Sequence, residues 1–205
     1  MSNKSRSEKG NNRRDDLIAA AKKLFAQQGY HATSTRSINT AVGASDGLLY
    51  HYLPGGKKEL LLAVVEHEVA IRYEFFQTHI KNIDEGLPLK EFLDIALGKA
   101  MENLARDADI FVIIMRESTE ISAETTELIS KVFAEVGAFL VKRFEMYIRL
   151  GAVKELNVYG MVHQFISAVQ SYAMLKAATN LFNERYSSVE YRDFVVSHML
   201  KCWEK

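Results

Sequence analysis

Apolar residues recur along this chain at intervals of three and four, the spacing that gathers them on one face of an α-helix. Near the N-terminus, Leu17, Ala20, Ala21, Leu24 and Phe25 form such a face and predict a helix over 13–28, closed by Gly29. Two shorter segments follow, with Ile38 and Val42 four apart on the first and Leu49 and Leu53 four apart on the second. They meet at Val42-Gly43-Ala44, where glycine takes a left-handed backbone at little cost. Ser45 then reads as the N-cap of the second segment, and Asp46 sits where a helix dipole favours negative charge. Two short helices joined through a glycine turn describe a helix-turn-helix, whose second helix can enter a DNA major groove.

The helical period continues to the end of the chain. Leu61, Val64, Val65, Val69, Tyr73, Phe76 and Ile80 predict a long helix over 59–81. Pro88 opens another that runs to about Arg106, and Ile110–Glu117 is short and strongly apolar. A helix over 125–150 closes at Gly151, Asn157 caps one that reaches about Asn180, and the last covers 188–203. Nowhere do apolar and polar residues alternate between turn signals, so the expected fold is all-α with about nine helices.

Overall charge is zero over 205 residues, which by itself argues against a nucleic-acid partner. Dividing the chain changes the picture. Residues 1–58 hold 10 Lys/Arg against 4 Asp/Glu, a net +6, and residues 59–205 hold 16 against 22, a net −6. A basic end on an acidic body is the electrostatic footprint of a DNA-binding module. The first eleven residues are polar and basic and are expected to be a flexible arm. Lys4, Arg6, Lys9, Arg13 and Arg14 either track a phosphate backbone or simply solubilise the chain. Lys57 and Lys58 stand in a first helical turn, where two positive charges oppose the dipole. A bound phosphate would reverse that cost, so Lys57 is expected to contact DNA. Cys202 is the single cysteine, no apolar run approaches the 18 residues of a membrane span, and no apolar leader opens the chain. These features point to a cytoplasmic protein with no membrane partner.

Residues 14–62 resemble the TetR family of transcriptional regulators. Ile18, Ala20, Leu24, Phe25, Gly29 and Tyr30 carry the likeness, followed by Thr33-Ser34, Arg36, Ile38, Gly43, Ser45 and Gly47, then by Leu49-Tyr50-His51-Tyr52, Lys57 and Leu60. The Pro54-Gly55-Gly56-Lys57 turn is similar to that of a subset including regulators of multidrug efflux genes. Asn39 and Val42 depart from it by standing where small alanine is usual, and Leu53 replaces the usual phenylalanine. The resemblance implies a three-helix DNA-binding domain over 12–56, behind the arm, and a ligand-binding and dimerisation domain over 57–205. It implies that Ser34 and Arg36 lie near the DNA backbone, and Thr35 and Arg36, with the basic arm, are expected to share the reading of bases. Ala44, Ser45, Gly47 and Leu48 would face bases, and Tyr50, His51 and Lys57 would contact phosphate.

Rival chemistries fail on context. Gly43-Ala44-Ser45-Asp46-Gly47 matches the hydrolase nucleophile elbow, but no strand precedes it. Gly56-Lys57 lacks the first glycine and the following Ser or Thr of a P-loop. No Glu-x-x-His pair and no paired His ligands appear, so neither a di-iron nor a zinc site is expected, and no cofactor or catalytic residue either. An all-helical enzyme or small-molecule carrier remains the alternative. For a largely apolar effector the candidate lining is Phe76, Phe111, Met115, Phe133, Tyr147, Gln170 and Tyr172, within an aromatic-rich body that also holds Phe182. His163, Gln164 and Gln170 interrupt an apolar helix and fit either a ligand contact or a dimer seam. A short recognition helix reads too few base pairs alone, so a homodimer on a palindromic operator is expected. Phe165, Leu175, Phe194, Val195, Met199 and Trp203 are its candidate seam. Ligand binding would release this dimer from double-stranded DNA and make the protein a repressor.

Overall fold

The helical period is realised almost throughout a computed structural model that describes residues 2–106, 109–177 and 187–205, with 2–12 and 177 described by backbone alone. Nine α-helices are found among the described residues: α1 Ser2–Gln28, α2 Thr35–Ala41, α3 Leu48–Tyr52, α4 Gly56–Phe75, α5 Leu89–Ala105, α6 Asp109–Arg116, α7 Ala123–Arg149, α8 Val158–Ala177 and α9 Ser188–Trp203. The only extended pairing among them is an isolated bridge between Val153 and Glu204. No helix is long and apolar enough to cross a membrane.

Capping residues explain several of the boundaries. Ser34 accepts the Ser37 N–H at 3.0 Å to open α2, and Asn157 accepts from Gly160 at 3.1 Å to open α8. Ser187 and Glu190 form a reciprocal capping box at the start of α9. Two expectations about helix ends need correction. The segment read as a flexible arm is helical from Ser2, because extending a helix already nucleated over 13–28 adds one hydrogen bond per residue fixed. The helix read over 59–81 begins at Gly56 and ends in a π turn, Phe76–Ile80, where the Lys81 N–H reaches the Phe76 carbonyl. The expected end of α8 near Asn180, and Phe182, lie outside the described residues.

The chain divides into two compact units, one from 1–69 with 109–128 and the other from 70–108 with 129–205. In the first, α1 packs on α2 and α6, around Leu17, Phe25, Ile38, Leu49, Leu53, Leu60, Val64 and Ile113. In the second, α5 packs on α8, α9 and the π turn. Its centre is a run of aromatic rings: Phe92 meets Phe144 at 6.2 Å and Tyr147 at 6.0 Å, and Phe144 meets Phe165 at 6.2 Å and Trp203 at 5.2 Å. Full burial of one such ring contributes about 1.5–3 kcal/mol, so this run is a principal source of the unit's stability.

Charged side chains tie the ends of the second unit's helices. Buried Arg143 donates to the carbonyls of Ile83 at 2.6 Å and Asp84 at 2.8 Å, while its guanidinium lies 4.8 Å from the Phe92 ring centre. Tyr147 donates to the Leu87 carbonyl at 2.7 Å, so the 83–88 loop is held on α7. On the same helix Glu135 accepts from the Tyr73 hydroxyl, from Gln77 at 2.7 Å and from Lys81 at 2.9 Å. These donors, led by Tyr73, hold its carboxyl at about 2, below the ordinary value of 4.5. Its stabilising effect is therefore complete above the unfolded value and is lost as pH falls through 4.5 toward 2. Glu135→Gln should remove that component. Urea unfolding followed from about pH 5.5 down to about 2.5 should lose less stability in the variant than in the parent protein.

Candidate nucleic-acid interface

The turn between α2 and α3 is organised by one buried residue. Gly43 takes φ +64°, and the N–H groups of Val42 and Ala44 both reach the Asn39 carbonyl, at 3.2 and 2.9 Å. The Asn39 side chain, 0% exposed, spans the same turn. Its Nδ2 donates to the Asp46 carbonyl at 2.9 Å, and its Oδ1 accepts the Leu49 N–H at 3.1 Å. The expected N-cap at Ser45 is not formed. α3 begins at Leu48 with Gly47 as the capping position and no side-chain cap, while Ser45 supplies only its carbonyl, to the Leu48 N–H. Asn39 satisfies from α2 an amide that a local cap would have served.

Around this turn the structure brings together nine of the ten residues expected to meet DNA. Ser34, Arg36, Ser45, Gly47, Tyr50 and His51 are exposed, and Thr35, Ala44 and Leu48 are partly covered. Arg36 and Asp46 face each other across the turn at 4.0 Å, an open pair worth little in water and available to a ligand. Tyr50, 52% exposed, lies along Gly56, whose φ of +68° and missing Cβ admit the ring: a Cβ there would stand 3.0 Å from the Tyr50 Cε1. Leu49 and Leu53 point inward, so α3 keeps one buried edge and offers the other. A guanidinium, hydroxyls, a phenol and an imidazole on one surface suit phosphate oxygens and base edges.

Lys57, the tenth, is turned to the protein's own backbone. Its Nζ donates to the carbonyls of Tyr30 and Thr33, both at 2.9 Å, lies 3.4 Å from that of His31, and stands 4.4 Å from the Tyr30 ring centre. The ammonium has three N–H bonds, and the turn after α1 takes them all. Two residues from α6 and its end, missed in the sequence, complete the same bracing. Glu117 accepts the Tyr30 N–H at 3.0 Å, and Arg116 donates to the Phe25 carbonyl and to that of Ala26. Lys58 binds the Glu120 carboxylate at 2.8 Å and lowers that carboxyl below its ordinary range. The change from apolar 110–115 to a charged run at 116–120 is the only sequence signal for this role.

The residues proposed for an effector are divided. Phe111 and Met115 belong to the first unit, with Met115 64% exposed. In the second unit Phe76 and Tyr147 are core residues, Phe133 is exposed, Gln170 is partly covered, and Tyr172 lines a cavity of 780 Å³. This cavity opens beside α5, α8 and α9, with Ile95, Met101 and Val189 giving apolar lining and both signs of charge beside it: Lys99, Arg106 and Arg192 with Asp94 and Glu102. Arg106 is paired with Glu102 at 3.0 Å and Arg192 with Asp193 at 2.7 Å. The dimer residues divide too. Phe165, Met199 and Trp203 are packed inside the chain's own core, and Trp203 donates to Gln164 at 2.8 Å. Phe194, 69% exposed, and Leu175 remain on the surface, and Val195 is partly covered. His163 is also exposed.

Residues 17–64 match the model for bacterial regulatory proteins of the tetR family. The HTH-type transcriptional regulator HbdR of Aromatoleum sp. (strain CIB) is 26% identical over 182 residues, covering 87% of this chain and 75% of its own length. Among solved structures, AibR in complex with isovaleryl coenzyme A and operator DNA superposes with a TM-score of 0.73 at 20% identity, over 91% of this chain and 97% of that one. The transcriptional regulator FadR from Bacillus subtilis in complex with stearoyl-CoA gives a TM-score of 0.66 at 20% identity, over 90% and 96%. The structural likeness is one of fold.

The geometry at Lys57 separates bracing from phosphate binding. Lys57→Ala should cost about 2 kcal/mol of stability by stranding the Thr33 carbonyl and leaving that of Tyr30 with the Thr33 N–H alone. Its DNA affinity should weaken while the slope of log K against log salt stays unchanged, whereas loss of a phosphate contact would reduce that slope by about 1.

Proposed function

Because this chain belongs to the TetR family of bacterial regulatory proteins, we propose that it is a ligand-responsive transcriptional repressor acting in the cytoplasm. It works as a homodimer on a palindromic operator and leaves the DNA when a small molecule occupies the second unit. The carrying observation is the exposed face of α2, the turn and α3, set on the basic end of the chain. Arg36, Tyr50 and His51 anchor the sugar-phosphate backbone, while Ala44, Ser45, Gly47 and Leu48 meet base edges. Ala44, Gly47 and Leu48 offer few side-chain hydrogen bonds, so apolar contact and groove shape carry much of the reading. The division into a reading head over 12–56 and a body over 57–205 belongs to this proposal.

The need for two copies follows from α3, which spans only Leu48–Tyr52. Exposed Phe194, Leu175, Met174 and Val189 on α8 and α9 supply apolar surface for pairing. For the effector, the cavity beside α5, α8 and α9 joins apolar lining to Lys99, and to Arg106 and Arg192, whose pairs with Glu102 and Asp193 an acidic ligand would compete for. An amphipathic anion suits that combination, and the acyl thioesters held by AibR and FadR are of this kind. α4 and α7 each contribute residues to both units, which gives ligand and DNA a shared element to bias.

Selection from a pool of random duplexes, followed by titration of the selected fragment, tests this function. The expected result is preferred binding whose affinity falls linearly in log salt and drops at least tenfold when saturating acyl-CoA is added. Such a drop is about 1.4 kcal/mol of coupling. A pool that yields no preferred fragment overturns DNA reading, and a preferred fragment insensitive to acyl-CoA overturns the effector class.

A further inference from the structure

We propose that Asn39 is a specificity-determining positioning residue, fixing the pose of the recognition helix without touching DNA. The inference rests on the DNA-reading function above. α3 has five residues, too few to be stable alone, and lacks a side-chain cap at Gly47. Besides the Leu48 N–H bond to the Ser45 carbonyl, its N-terminal end is held by a side-chain amide reaching from α2. Asn39 Nδ2 donates to the Asp46 carbonyl at 2.9 Å on one side of Gly47, and Oδ1 accepts the Leu49 N–H at 3.1 Å on the other. The Asn39 backbone carbonyl meanwhile receives the N–H groups of Val42 and Ala44. One buried residue therefore sets both the turn and the position at which α3 begins.

The two kinds of DNA contact respond differently to losing this clip. Phosphate contacts from long or exposed side chains tolerate a small displacement of the helix, because they are electrostatic and carry no sequence information. Contacts to base edges do not, since a hydrogen bond weakens steeply with distance and angle. Loosening the start of α3 thus erodes discrimination before it erodes general affinity. A residue needed only for folding would reduce both together.

The test compares the full-length parent protein with Asn39→Ala and Asn39→Asp. Each is titrated against the duplex selected by the parent and against a scrambled duplex of equal length, with helix content followed by circular dichroism. Asn39→Ala removes both arms of the clip. Asn39→Asp keeps an acceptor for Leu49 and replaces the donor facing Asp46 with an oxygen. The inference predicts that Asn39→Ala loses at least tenfold in the ratio of selected to scrambled affinity. Its scrambled affinity and salt slope should stay within twofold of the parent. If Asn39→Ala does not fold, Asn39→Asp decides alone: a reduced ratio with scrambled affinity retained supports the inference. An unchanged ratio in the folded variant overturns it, as does a parallel fall in both affinities. A parent protein that prefers no duplex overturns the DNA-reading function and this inference with it.

Discussion

The backbone at the end of α1 imposes the constraint on which the first unit depends. Carbonyls in the last turn of a helix and in the following bend lack most of their usual donors. Here the Gly29 N–H reaches the Phe25 carbonyl at 3.0 Å and the Thr33 N–H that of Tyr30 at 3.2 Å, and the rest of the accepting capacity falls to side chains. Burial of Gly29, Tyr30 and Thr33 makes leaving such groups unpaired costly. Lys57 serves Tyr30 and Thr33, Arg116 serves Phe25 and Ala26, and Glu117 takes the Tyr30 N–H. A chain that satisfies these groups with side chains so far away in sequence must fold 57 and 116–117 against the same turn. This accounts for the presence of residues 109–128 in the unit that carries α2 and α3.

With the turn fixed, the exposed face follows from what is left over. Leu49 and Leu53 consume the inner edge of α3, and Ile38 and Asn39 consume that of α2. The side chains not used inside are Arg36, Ser45, Tyr50 and His51, and their chemistry is that of a polyanion's partner. The positive charge of the N-terminal part is thus divided between two tasks. Lys57 and Lys58 are taken up by carbonyls and by Glu120, and Arg36 has only its exposed pair with Asp46. A count of basic residues overstates the cations available to phosphate for this reason.

Most of the architecture was legible in the sequence because period and punctuation are local. Gly43, Pro88, Gly151 and Asn157 stand at turns and helix ends as expected, and nine helices were expected and found among the described residues. The roles that escaped are those decided by distant partners. Periodicity marks Phe165, Met199 and Trp203 as covered without saying by what, since an intrachain core and a subunit seam demand the same residues. Lys57 looked suited to phosphate because its position opposes the helix dipole, and the carbonyls that it serves lie 24 and 27 residues earlier. Asn39 stood out as a departure from the family pattern at a packed position. Its pairing with Asp46 and Leu49 could not be read from spacing alone.

The central claim is that α2, the Gly43 turn and α3 read a duplex in pairs. Hydroxyl-radical footprinting on a duplex selected by the protein tests it most directly. The account predicts two protected patches related by a two-fold axis, with centres about one helical turn, roughly 10–10.5 base pairs, or a multiple of it apart. A single asymmetric patch, or protection unaltered when Tyr50 and Arg36 are both replaced by alanine, would contradict it.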